Sequence, residues 1–167
     1  MTFVKPIPAS DIQPAEQSNA RWKDWKWQVG HSITDLSTLE QMLDLKMSAS
    51  EREDMQKTCD IFPMSITPYY LSLIDTQDPF HDPIFKQAIP SVGELIIEDY
   101  DIHDPLAEDE DSPCPLITHR YPDRILFLIS NTCAMYCRHC TRKRKVGQIS
   151  STPLDEELDA EIGRAHV

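Results

Sequence analysis

The chain has 167 residues, with 16 Lys+Arg against 28 Asp+Glu and a formal net charge of −12. At 40% hydrophobic and 26% charged it has a globular composition, with length for one ordinary domain or a small domain plus part of another. The charge argues against coating nucleic acid or an anionic membrane, four glycines leave no Gly-rich phosphate loop, and no apolar run nears the roughly 20 residues of a membrane span.

Residues 1–20 are polar, carry three prolines and predict a loosely ordered arm. They contain no apolar export signal, so a reduced cytoplasm is the expected compartment. The segment RWKDWKWQ, residues 21–28, holds all three tryptophans. Trp22 and Trp25 stand three apart and are expected on one helix face, as a packing anchor or else a stacking platform. Ser37 with Glu40 predicts a capped helix carrying Leu36, Leu39, Met42 and Leu43 on its apolar face. Ser50 with Glu53 predicts the cap of a second helix, running through Met55 and Cys59 towards Ile61. Cys59 reads there as a small buried apolar residue.

Nine of the thirteen prolines fall between Pro63 and Pro122, which argues against long helices and leaves short ones at residues 69–74 and 91–97. Residues 98–111 hold eight acids and no Lys or Arg, the pattern of a solvated loop, with a cation site as the alternative. RILFLIS, residues 124–130, is a continuous apolar run that predicts a strand buried on both faces of a parallel sheet. Pro153 with the acids at 155–157 predicts the start of a further helix. The fold class is therefore α/β.

Cys133, Cys137 and Cys140 follow the strand with C-x3-C-x2-C spacing, while Cys59 and Cys114 stand alone. Zinc needs four ligands, usually in two pairs, and no second pair follows. Three thiolates on one loop suit a [4Fe–4S] cluster with one open iron; zinc and disulfide readings are the alternatives. Five of the eight residues 138–145 are basic, which suggests either a nucleic-acid patch or electrostatics for an anionic substrate.

The cysteine spacing resembles the signature of the radical S-adenosylmethionine (SAM) superfamily. The likeness extends to lysine 2,3-aminomutase through WKWQ at 25–28, ITPYYLSLID at 66–75, KQAIP at 86–90, THRYPDR at 118–124 and CRHCTR at 137–142. The resemblance implies that Cys133, Cys137 and Cys140 ligate three irons and that SAM chelates the fourth. His139 occupies the position whose backbone meets the adenine. Arg120, Tyr121 and Arg124 match the group that binds the phosphate of pyridoxal 5′-phosphate (PLP), and Arg142 matches the residue that pairs with the substrate carboxylate. The implied reaction is L-lysine to L-β-lysine, with glutamate or another amino acid as an alternative and a small zinc or nucleic-acid module as the reading from a different class.

The family likeness further implies an electron donor such as flavodoxin or ferredoxin, a homo-oligomeric parent, and zinc cysteines in a part beyond residue 167. It divides the chain into an arm and helical region at 1–117, the first strand and cluster loop of a truncated partial (β/α) barrel at 118–161, and a tail at 162–167. The tail, IGRAHV, matches one reading frame of a common sequencing adapter and is expected to be non-native. An N-terminal fragment of the parent enzyme, itself inactive, is the resulting expectation.

Overall fold

A computed structural model describes residues 20–147. Residues 1–19 of the arm predicted at 1–20, the helix start near Pro153 and the tail at 162–167 lie outside the described residues. The chain divides into two compact units: one holds residues 20–97 with Cys133–Cys140, the other Glu98–Thr132 with residues 141–147. No helix among the described residues is long and apolar enough to cross a membrane.

The first unit is helical. A 3-10 helix at Ala20–Lys23 leads into α1, Trp25–Gly30. Asp24 is extended and caps α1 by accepting from the Lys26 amide, so helical periodicity breaks between Trp22 and Trp25. The two therefore do not share a face: Trp22 is buried and Trp25 is 69% exposed. Trp22 packs on Trp27 at 6.2 Å, and Trp27 stacks on His31 at 4.5 Å. The buried Gln28 donates to the Trp22 carbonyl and accepts from the Tyr69 amide, tying α1 to a later segment.

Helix α2, Leu36–Leu43, buries Leu36, Leu39 and Leu43, the face the spacing predicts. Its cap is Asp35 rather than Ser37. One carboxylate satisfies the Thr38 amide and both the Ser37 and Thr38 hydroxyls, at 2.7–2.8 Å. Helix α3, Ala49–Ile61, runs through Cys59 as expected but is capped by Ser48 in a reciprocal box with Glu51. Residues 48–53 hold two overlapping box patterns, and the earlier one captures extra helical hydrogen bonds. Cys59 is half-buried, and burial pushes its thiol up.

The prolines start helices here more than they break them. Pro68 opens α4, Pro68–Leu71, and Pro83 opens α5, Pro83–Ala88, an element the sequence reading lacks. At the first helical position the missing N–H costs nothing, because that donor has no partner in the helix anyway. A 3-10 turn at Val92–Leu95 fills the expected helix at 91–97. The apolar core joins Ile33, the leucines of α2, Met64, Ile66, Leu71 and Phe85. Ile66 forms antiparallel bridges to both Ile33 and Met135, which brings the cysteine loop onto this core.

The second unit contains β1, Ile117–Tyr121, paired antiparallel with β2, Arg124–Phe127. Tyr121 faces Arg124, so Pro122 and Asp123 form a two-residue turn. The expectation of a parallel strand buried on both faces is corrected. β2 is antiparallel and ends at Phe127, and Ile125 and Ile129 are 43% and 63% exposed. A tight turn between neighbouring segments permits only antiparallel pairing, and an apolar run carries no information on orientation. The described sheet is two-stranded.

Candidate functional site

Main-chain and ionic ties hold the cysteine loop in the first unit. The Tyr136 amide donates to the Ser65 carbonyl at 2.9 Å, and the Arg138 amide to the Gln87 carbonyl at 2.8 Å. The Cys140 amide closes a turn on the Cys137 carbonyl at 3.1 Å. Between these cysteines, the Arg138 guanidinium grips both oxygens of Glu94 at 3.0 and 2.7 Å and donates to the Pro63 carbonyl. Its side chain is 8% exposed. In the sequence Arg138 belongs to the CRHCTR match and the basic run with no role of its own, and nothing there singles out Glu94. The available signal was an arginine inside the C-x2-C spacing, too close to the thiols to be an ordinary surface cation.

All three cysteines are free thiols, Cys133 exposed and Cys137 and Cys140 half-buried. Burial first, and then the neighbouring Cys140 and Cys137, push the Cys133 thiol up. Cys140 and Cys137 thus lie near enough to Cys133 to oppose formation of its thiolate. Among the described residues no group of three His, Cys, Asp or Glu converges tightly enough to hold a metal ion. The donor set fits an iron–sulfur cluster in chemistry: three unoxidised thiols on one loop, the ligand type such a cluster takes. His139 is exposed on the same loop.

In the second unit, Arg120, Tyr121, Arg124 and Arg142 line one cleft of about 610 Å³, with Glu108 and Leu126 among its other walls. Arg120 is steered by a 2.6 Å bond from Nη1 to the Leu106 carbonyl. Arg124 lies 4.5 Å from the Tyr121 ring centre, a cation–π contact across the hairpin turn. Two guanidinium groups, of Arg120 and Arg124, and the Tyr121 phenol lining one cleft are a donor set suited to a phosphate. Arg142 donates from Nε and Nη2 to the two oxygens of Glu108 at 3.1 and 2.5 Å.

The acid-rich segment differs from a uniformly solvated loop. Glu108 is buried, and Asp104 and Asp109 both pair with Arg144 at 2.9 Å. Burial pushes the Asp104 carboxyl up. The Asp109 and Glu108 amides together with Arg144 outweigh it and hold the carboxyl below the usual range. Lys145 lies 3.7 Å from Asp109. The basic run is therefore neutralised at Arg138, Arg142, Arg144 and Lys145 rather than presented as a bare positive strip.

No family model matches the chain. It is 56% identical over 141 residues to the L-lysine 2,3-aminomutase of Methanococcus maripaludis, covering 84% of this chain and 33% of that protein. To the L-lysine 2,3-aminomutase of Clostridium subterminale it is 48% identical over 145 residues, covering 87% and 34%. A glutamate 2,3-aminomutase of Clostridioides difficile is 44% identical over 130 residues, covering 78% and 30%. The chain spans about a third of the length of these curated relatives. Its sequence sets it in the class of amino-acid 2,3-aminomutases. Within that class it belongs to the lysine 2,3-aminomutase family.

Proposed function

We propose that the protein carrying this chain is a radical SAM, PLP-dependent amino-acid 2,3-aminomutase whose reaction is L-lysine to L-β-lysine. The observation that carries the reading is the shared cleft of Arg120, Tyr121, Arg124 and Arg142, the residues that the family pattern assigns to a phosphate and a carboxylate. Cys133, Cys137 and Cys140 supply thiolates to iron, and the backbone at His139 meets the nucleoside of SAM. Arg120 and Arg124 neutralise the phosphate with planar N–H forks, and the Tyr121 hydroxyl adds a hydrogen bond. Arg142 binds the amino-acid carboxylate and fixes the carbon that must lose hydrogen. When bound, the cluster with SAM supplies a carbon radical by one-electron reduction, and PLP supplies the electronic delocalisation that lets the amino group migrate.

In this reading residues 118–161 begin a partial (β/α) barrel, and residues 1–117 form the arm and helical region before it. The protein works in the cytoplasm as a homo-oligomer, with electrons from a flavodoxin- or ferredoxin-type donor. Glutamate is the second substrate to consider, because the glutamate 2,3-aminomutase of Clostridioides difficile is 44% identical. The test is anaerobic reconstitution of the full-length protein with iron, sulfide, PLP, SAM and a reductant, then assay of L-lysine and L-glutamate in parallel. β-Lysine is expected. β-Glutamate alone would transfer the assignment to the second reading. Neither product from protein loaded with four irons and PLP would overturn both.

A further inference from the structure

Glu108 stands apart from the other acids of residues 98–111. It is 3% exposed, and its carboxylate takes the side edge of Arg142, formed by Nε and Nη2. Its backbone is pinned as well. The Ser112 hydroxyl donates to the Glu108 carbonyl at 2.6 Å, and the preceding Ala107 sits in the left-handed region at φ 50° with its amide bonded to the Asp104 carbonyl. The turn turns Glu108 inward while its neighbours Asp109 and Glu110 remain exposed.

A guanidinium has five N–H donors, and a side-on carboxylate uses only two of them. The end edge of Arg142, Nη1 with the outer hydrogen of Nη2, has no other hydrogen-bond partner among the described residues. The side chain is 35% exposed and borders the cleft. An arginine so held cannot swing away, and it offers a second carboxylate a fork already oriented. A carboxylate seated on the end edge would instead block the substrate.

We propose that Glu108 is a positioning residue: it holds Arg142 by the side edge so that the end edge is presented as the receptor for the amino-acid carboxylate. This rests on the reading of Arg142 given above. Orientation of a planar fork is what a bidentate pair needs and what an exposed arginine otherwise lacks.

The experiment measures equilibrium binding of L-lysine and of cadaverine, the same diamine without a carboxylate, to the full-length holoenzyme and its variants. Glu108→Ala is expected to weaken L-lysine binding about tenfold, on the scale of one lost bidentate contact, and to leave cadaverine binding unchanged. Glu108→Gln keeps the shape and one acceptor and should fall between, with iron and PLP contents as in the parent. In the Arg142→Ala background, Glu108→Ala should have no further effect on L-lysine. Tighter L-lysine binding in Glu108→Gln would make Glu108 a competitor of the substrate and overturn the proposal. Equal loss of L-lysine and cadaverine would reduce Glu108 to a structural acid. Unchanged L-lysine binding in Arg142→Ala would remove the carboxylate clamp itself, and the proposal with it.

Discussion

The helical unit rests mainly on an apolar cluster, with the Arg138–Glu94 pair beside it, and the hairpin unit mainly on ion pairs. In the first, Leu36, Leu39, Ile66 and Ala88 are essentially sealed from solvent within one apolar cluster. In the second, Ile125, Leu126 and Ile129 face solvent, while Glu108, Asp104 and Asp109 are matched to Arg142 and Arg144. Apolar burial is not screened by salt and does not depend on carboxylate protonation, whereas ion pairs weaken with both. One chain therefore carries two regions that yield to different perturbations, and the residues assigned to phosphate and carboxylate recognition sit in the ion-paired one.

The largest expected effect is in the helical unit. Leu39→Ala removes a side chain with 0% exposure and should cost about 2–5 kcal/mol, the range for a buried leucine that leaves a cavity. Urea denaturation followed by tryptophan fluorescence isolates this unit, because Trp22, Trp25 and Trp27 all lie in it. A loss below about 1 kcal/mol would erase the contrast drawn above.

A smaller, conditional effect belongs to the hairpin unit. The Asp104 carboxyl is held below its ordinary value in the fold, so it binds protons less readily when folded than when unfolded. Its stabilisation is present above the ordinary carboxylate pKa, roughly 4, and is lost as pH falls through the folded value. The protection of amides at residues 104–109 against hydrogen exchange, relative to the unfolded chain at the same pH, should fall below about pH 4 while that at residues 36–43 holds. Asp104→Asn should flatten that pH dependence, and equal acid sensitivity in the two segments would contradict it.

The smallest effect tests the turn that directs Glu108 inward. Ala107→Gly removes a Cβ from a left-handed backbone and should stabilise by about 0.5–1 kcal/mol, after allowing for the greater freedom of glycine in the unfolded chain. Slower amide exchange at residues 104–112 is the expected sign, and faster exchange would mean that the left-handed turn carries no strain.

The elements that could be read from the sequence were those set by local pattern. The spacing of Leu36, Leu39 and Leu43 defines a helix face, and the cysteine spacing is linear information. The caps of α2 and α3 slipped by two residues, because Asp35 and Ser48 precede equally plausible partners. Residues 83–88 were overlooked because a proline at a helix start looks, in isolation, like a helix breaker. Residues 124–130 were misplaced because strand direction depends on what pairs with it, here the segment just before the Pro122–Asp123 turn. Glu94 and Glu108 were illegible for a related reason: one acid among many is distinguished only by the distant arginine it meets.

The double bridging of Ile66 has a consequence for the order of events during synthesis. Ile33 and Ile66 pair through two backbone hydrogen bonds, and both lie well upstream of Met135. Chains emerge N-terminus first, and contacts between distant residues form only after the intervening loop has been closed. The edge that receives the cysteine loop can thus be assembled before Cys137 and Cys140 are translated. The thiols then arrive at a finished dock, and damage far upstream, at Ile33 or in α2, is felt as a failure to seat the cysteines.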